Sequence, residues 1–477
     1  MKLKLVVASM SVLGLVSCPA FAAHAKHKHH QTVTQQQVVA EHNYKDYKDA
    51  LPLEAACTIT HSSMIMDQMT QSMGRSMPNP CNPGWFNRIH VSGGLNVDLG
   101  KFGNRNGNYM GENYQRLSLN DAYLNVGADI NDWAKVFASI SYNTATINDP
   151  SSANSTYGYH VSEYSSAYSN NVLSGSTNAL QLEQAYATFA NFDMSPIFLQ
   201  IGKQFQDFSR YDIHPITRSL TQVMSETLAT SIKVGFIANG FHGSLYAFDD
   251  PISKVGKTAS STNYGAALGF DMPSDQLGFD LGVGYLYNMM GVNDVAYQVN
   301  QFNLHNTSLS GNATNGLQGY NSRIGAIAAY GDLNTGPFVL SARYTTALQR
   351  FNANDLPENG IAALNLAPNT VAPFTQGSPI ATASGARPWA AGVQAGYGFE
   401  GWSRNQNIYL GYQVSRQAAG LNLPRSRWAL GYGIDAFGKN TNVGIEWDHD
   451  QAYSASNGGI PSNNTNLVTL RAGVQFG

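Results

Sequence analysis

The amino-acid sequence predicts an all-β protein: a transmembrane antiparallel β-barrel of about 16 strands with a short N-terminal extension. Three observations predict it. Segments of alternating apolar and polar residues recur from Arg88 to the C-terminus. The connections between them alternate between long and short, and charged residues keep to one parity of each segment. No run of about 18 apolar residues lies beyond the N-terminus, so helical spans are excluded, whereas spanning strands carry only alternation.

The alternating segments are 89–99, 115–128, 133–142, 180–189, 197–204, 230–238, 241–248, 263–270 and 277–287, then 322–330, 337–347, 389–399, 407–415, 427–437, 442–448 and 467–476. Most have the length that a tilted strand needs to cross a bilayer. "SIKVGFIANGFHGSLYAF", 231–248, makes the case for one pair. Asn239-Gly240 suits a type I′ turn because both residues tolerate positive φ. A two-residue loop there pairs Ala238 with Phe241, Phe236 with Gly243, Val234 with Leu245 and Ile232 with Ala247, all on one apolar face.

The odd connections are long or variable: 100–114, 143–179, 205–229, 249–262, 288–321, 348–388, 416–426 and 449–466. The even ones are short: "DINDW", "NFDMSP", "NG", "DMPSDQ", "DLNTG", "EGWSRNQ" and "GKN". A soluble sandwich has no reason to sort loops by parity. A barrel with tight periplasmic turns and long extracellular loops does. An even strand count also leaves both termini in the periplasm.

The two faces agree. Outward candidates include Val136, Ala138, Ile140 and Tyr142; Phe279, Leu281, Val283, Tyr285 and Tyr287; and Trp428, Leu430, Tyr432 and Ile434. The opposite parity carries Asp98, Arg116, Lys135, Glu183, Lys233, Asp280, Arg323, Arg343, Arg427, Asp435, Glu446 and Arg471. A Lys or Arg facing mid-bilayer lipid costs about 2–4 kcal/mol, so this segregation assigns the charges to the lumen. Val468, Leu470, Ala472, Val474 and Phe476 keep the alternation to the end, with Gly477 a one-residue tail.

Composition bounds the class. Only 12% of residues are charged and the formal charge is −3, with no basic run typical of nucleic-acid binding. Mean hydropathy is −0.24, polarity coming from uncharged side chains. Residues 1–22 read as a signal peptide: Lys2 and Lys4, the apolar run 5–16, then Ala20-Phe21-Ala22 as the cleavage site. "LVSC" leaves lipidation of Cys18 as the alternative. Residues 23–87 read as a His- and Gln-rich periplasmic extension, with a short helix expected around 62–74, and 88–477 as the barrel. Cys57 and Cys81 suit a disulfide in an oxidising compartment, against two free thiols.

The extension, "GWFNRIHVSGGLNVD", "LNDAYLNVGADINDWAKVFASISYN", "LEQAYATF", "FLQIGKQFQDFSRYDIHPITRSLTQ" and "LVTLRAGVQFG" together resemble the LbtU-type siderophore porins of Gram-negative outer membranes. The resemblance covers nearly the whole mature chain, and "IGKQ" followed by "HPITRSLTQ" is its most specific part. It implies a 16-stranded outer-membrane barrel that admits a ferric siderophore without a TonB-linked plug. No ligand residue carries over by position.

The third long connection, 205–229, is expected to fold inward, as third loops often do in such porins. It carries Arg210, His214 and Arg218, with Lys203 and Lys233 near its ends. With Arg116, Arg323, Arg343, Arg427 and Arg471 they form a candidate basic ladder for an anionic solute, since guanidinium groups grip carboxylates bidentately. The alternative is that these cations pair with Asp98, Glu183, Asp280 and Glu446 across the lumen. His27, His29 and His30 are weak metal candidates against a solvated lead. In "EWDHDQ", Asp448, His449 and Asp450 alternate faces and do not converge. The functional expectation is ferric-siderophore uptake, with a general or anion-preferring diffusion porin and a surface adhesin as alternatives. The protein is expected to be no enzyme and to need no cofactor. Its expected partners are the siderophore or a similar anion, outer-membrane lipid and the barrel-assembly machinery, with a homotrimer possible and no nucleic acid.

Overall fold

A computed structural model describes residues 62, 66, 69, 88–103, 114–142, 180–210, 216–257, 262–272, 277–296, 298–299, 319–358, 384–421, 423–454, 457 and 464–477. Sixteen antiparallel strands close into one barrel, each bonded to its sequence neighbours and the last to the first. The first eight are β1 (Ile89–Gly103), β2 (Tyr114–Asn131), β3 (Ala134–Tyr142), β4 (Leu180–Ala190), β5 (Ile197–Phe205), β6 (Leu228–Ala238), β7 (Phe241–Asp249) and β8 (Thr262–Met272). The rest are β9 (Gly278–Leu286), β10 (Ala326–Thr335), β11 (Phe338–Ala347), β12 (Trp389–Gly401), β13 (Arg404–Arg416), β14 (Ser426–Asp435), β15 (Thr441–Gln451) and β16 (Thr465–Phe476). One helical turn, α1 (Leu220–Val223), lies between β5 and β6.

The β6–β7 hairpin has the register its turn chemistry dictates. Ala238 faces Phe241, Phe236 faces Gly243, Val234 faces Leu245 and Ile232 faces Ala247. Asn239 and Gly240 have φ of 51° and 83°, the left-handed pair that a type I′ turn demands. Elsewhere the boundaries move by a few residues. The sequence places a strand at 322–330, but β10 begins at Ala326, because Asn321 and Ser322 donate their N–H groups to Asp355 and hold the chain in the preceding loop. Arg323, expected on a strand facing the lumen, is therefore an exposed loop residue.

Closure leaves no sheet edge and puts an apolar belt on the outside. Ile232, Val234, Leu245, Leu281, Val283, Leu430 and Leu470 are all exposed there. Aromatic pairs mark both ends of the belt: Tyr264 on Tyr287 and Tyr344 by Trp389 at the long-loop end, Phe241 by Phe270 and Phe338 by Tyr397 at the short-turn end. The inner parity carries the charges, with Asp98, Lys135, Glu183, Lys233, Arg343, Arg427, Glu446 and Arg471 all buried inside. Phe476 pairs with Gly93, so β16 runs to its last aromatic residue. No described helix is long and apolar enough to cross a membrane.

The long-loop end encloses an apolar core. Phe208, Leu220 and Met224 pack with Met289, Met290, Val292, Val295, Tyr320, Phe351, Leu356, Leu421 and Leu423 from later loops. The barrel wall makes room for them with small inward residues: Ala326 and Ala328 on β10, Ala347 on β11 and Ala390 on β12, all fully buried.

Candidate functional site

The described parts of the third long loop, 206–210 and 216–227, lie inside the barrel. Its ends are tied where it leaves the wall, Gln206 N–H donating to the Thr227 carbonyl at 2.8 Å. Asp207 accepts from Lys233 Nζ and from Ser244 Oγ, each at 2.7 Å, which holds the loop against β6 and β7. Phe208 then crosses β9 at Gly284, where a Cβ would lie 2.1 Å from the Phe208 carbonyl oxygen. Only glycine permits that approach. Arg210 donates to Asp280 on β9, and its guanidinium stands 5.6 Å from the Tyr330 ring centroid. Arg343 approaches the same ring at 5.8 Å, and His242 shares a 3.1 Å hydrogen bond with the Tyr330 hydroxyl.

The loop reappears on the far wall. The Cβ of an alanine at Gly444 on β15 would meet Ile216 Cδ1 at 3.1 Å. Arg218 pairs with Glu226 at 3.1 Å and Asp294 at 2.6 Å, while its carbonyl accepts from Arg427 Nη1 on β14. Ser219 caps α1, its hydroxyl accepting from Gln222 N–H at 3.0 Å. Leu220 N–H donates to Gln413 Oε1 on β13 at 2.6 Å. The return is fixed by Asn293, whose side chain accepts from Leu228 N–H at 2.7 Å. Residues 206–210 thus follow β5 and lie against β9, while residues 216–227 lie against the β13–β15 wall and lead back to β6.

The basic candidates are placed as follows. Arg471 makes a bidentate pair with Asp98, both bonds 2.7 Å, across the β16–β1 seam. Arg427 grips Asp450 with bonds of 2.7 and 2.9 Å across β14–β15. Arg343 holds Asp332 with bonds of 2.9 and 3.0 Å across β10–β11. Lys203 donates to the Leu182 carbonyl at 2.7 Å. Arg471 and Arg210 have two of the acids expected of them, but Arg427 and Arg343 have others, and all three bidentate pairs link neighbouring strands instead of spanning the lumen. Glu446 receives the Tyr409 hydroxyl instead.

Of the same set, Arg210 is half-buried and Arg323 exposed, its guanidinium 5.6 Å from the Tyr287 ring centroid. His214, His27, His29, His30, Cys57, Cys81, the signal peptide and connection 143–179 lie outside the described residues, as does the side chain of Arg116. Among the described residues no group of three or more His, Cys, Asp or Glu could hold a metal ion. On β15, Glu446, Asp448 and Asp450 face inward while Trp447 stacks on His449 outside, so Asp448, His449 and Asp450 do not converge.

Asp207, Asp332, Gln413 and Asn293 are residues that sequence reasoning missed, as it missed the pairing of Asp450 with Arg427. That pairing was hidden because β15 runs three residues beyond the alternation, to Gln451. A second network at the long-loop rim was also missed. Asp250 accepts from Asn263 Nδ2 and Asn288 Nδ2 at 2.7 Å each and from the Tyr320 hydroxyl at 3.2 Å. Burial pushes its carboxyl up to about 6, against the opposing pull of these donors and of Arg323.

No family model matches the chain. It is 25% identical over 280 residues to a UPF0422 protein of Coxiella burnetii, covering 57% of this chain and 51% of that one. It is also 25% identical over 303 residues to a UPF0422 protein of Legionella pneumophila strain Lens, covering 62% and 52%. The chain thus spans about half the length of the curated relatives it matches. The fold is similar to that of Pseudomonas putida OprB, with a TM-score of 0.51 and 12% identity, over 82% of this chain and 94% of that one.

Proposed function

We propose that this chain is an outer-membrane channel for small polar solutes, narrowed by its third long loop. The observation that carries the reading is the inward placement of 206–210 and 216–227 in a barrel whose inner wall is largely polar and whose outer belt is apolar. Such a wall gives a solute hydrogen-bonding surface in place of its hydration shell, and the loop sets the width. Neighbouring carboxylates accompany most of the cations, so the wall offers alternating signs more than one attracting field. Arg210 at the loop and Arg323 at the rim are the basic residues we place in a solute's way. The short turns lie on the periplasmic side in this reading. Purified full-length protein in planar bilayers is expected to give stepwise conductance. A membrane that stays silent with folded protein present would overturn the reading.

The narrower reading is that the solute is a ferric siderophore. It is supported by the resemblance of the "IGKQ" and "HPITRSLTQ" segments to the siderophore porins. Its measure is radiolabelled ferric-siderophore uptake by iron-starved cells with and without the gene. Equal uptake would sink it and leave the channel reading standing.

A further inference from the structure

Inward positions at the short-turn end are mostly polar: Asp129, Lys135, His242, Asp280 and Asp332 all sit there. The foot of β4, β5 and β6 departs from this. Ala190, Phe198 and Ile237 occupy inward parity, and Phe192 in the adjoining turn sets its ring 6.5 Å from that of Phe198. Phe198 points into the barrel, since a Cβ at lumen-facing Gly235 would meet its ring at 2.5 Å. An apolar collar inside a water-filled mouth is unfavourable unless something covers it.

It is covered by the chain itself. Met66 is 3% exposed and packs with Ala190 and Phe198, while Met69 lies against the same cluster with Phe192 and Ile237. Ser62 Oγ accepts the Phe192 N–H at 3.0 Å. Ser62 and Met66 are helical and Met69 lies in a turn, and all three meet the same cluster. Methionine suits such a contact, because its flexible thioether fits irregular apolar surfaces and favours aromatic rings. One hydrogen bond and two apolar side chains thus converge on a collar that no lumen-lining role explains.

We infer that Ser62, Met66 and Met69 form an intramolecular stopper, seated on this collar and narrowing the short-turn mouth of the channel beneath the third loop. The inference rests on the channel reading. In it these three residues occupy part of an exit that solute must pass.

The test uses the full chain in planar bilayers. Met66→Asp with Met69→Asp places carboxylates against the collar, and undocked they are solvated, so the barrel is not strained. Conductance is expected to rise severalfold over the unaltered protein. In a second variant, Ser62→Cys with Phe192→Cys is made in a Cys57→Ser, Cys81→Ser background, at two positions joined by the 3.0 Å contact of Ser62 Oγ with the Phe192 N–H. Oxidation is expected to lower conductance and reduction to restore it. Conductance indifferent to both manipulations would overturn the stopper while leaving the channel intact. Silence of every form, including the aspartate variant, would overturn the channel reading and the stopper with it.

Discussion

Two stretches of the barrel wall share a parity and use it oppositely. On β10–β12 the inward residues at the long-loop end are Ala326, Ala328, Ala347 and Ala390, buried under Met289, Met290, Phe351 and Leu356. On β16, β1, β2 and β3 the inward residues are Arg471, Asp98, Asn120, Asn125, Lys135 and Ser139. The first wall is one half of a packed core; the second is held by ion pairs and hydrogen bonds between strands. Inward in a barrel is therefore two environments, and loop packing decides which one a strand meets.

Substitutions can break that contrast. The largest effect is expected from Arg471→Ala, which strands Asp98 at the seam and costs about 3–5 kcal/mol of barrel stability. Denaturant unfolding of the reconstituted barrel measures it, and packing of the distant loops should hardly respond. Met290→Ala empties part of the loop core and should cost about 2–5 kcal/mol, shared with the loops. Faster amide exchange across 206–227 and 287–299, with the β16–β1 seam still protected, is the expected result. Equal loosening of both walls would mean that they are one cooperative unit. Ala328→Leu overfills the small-residue wall and should cost about 1–3 kcal/mol. Leucine accepted there without loss would show that the alanines are not needed for room.

The smallest effect is a slope with pH. Asp250 holds its proton to about 6 in the folded protein, above the ordinary value of 3.8. The folded state therefore binds more protons than the unfolded state between about pH 4 and 6, and stability falls as pH rises through that window. Asp250→Asn should flatten this part of the melting-temperature profile. An unchanged profile would remove Asp250 as its cause.

Much of this architecture was legible in the sequence because two local rules coincide. Strand alternation separates Lys233 from Val234, and the Asn239-Gly240 turn fixes which partners they meet, so face and register follow from a dozen residues. The candidate site was half legible. Arg210 and Arg218 announce themselves as basic residues in a long third connection, and Asp280 is among the acids expected to meet such cations, but Glu226 and Asp294 are set by where the loop packs. The apolar core was illegible for a related reason. Ala326 and Ala328 at lumen parity read as neutral lining until Met289 and Met290 are known to fold over them. Small residues reserve space without naming the occupant.

The seam pair has a consequence for how the barrel comes to exist. Asp98 and Arg471 are 373 positions apart, and their strands pair only when the sheet curls onto itself. Every other strand pairing joins sequence neighbours and can zip locally, whereas this one carries the entropy of closing the longest loop in the chain. The guanidinium–carboxylate clasp waits on that final encounter. Until it forms, β1 and β16 are two open edges, each able to recruit a strand from another molecule. The clasp is thus a late checkpoint in assembly, and a chain lacking it should linger in a form prone to mispairing.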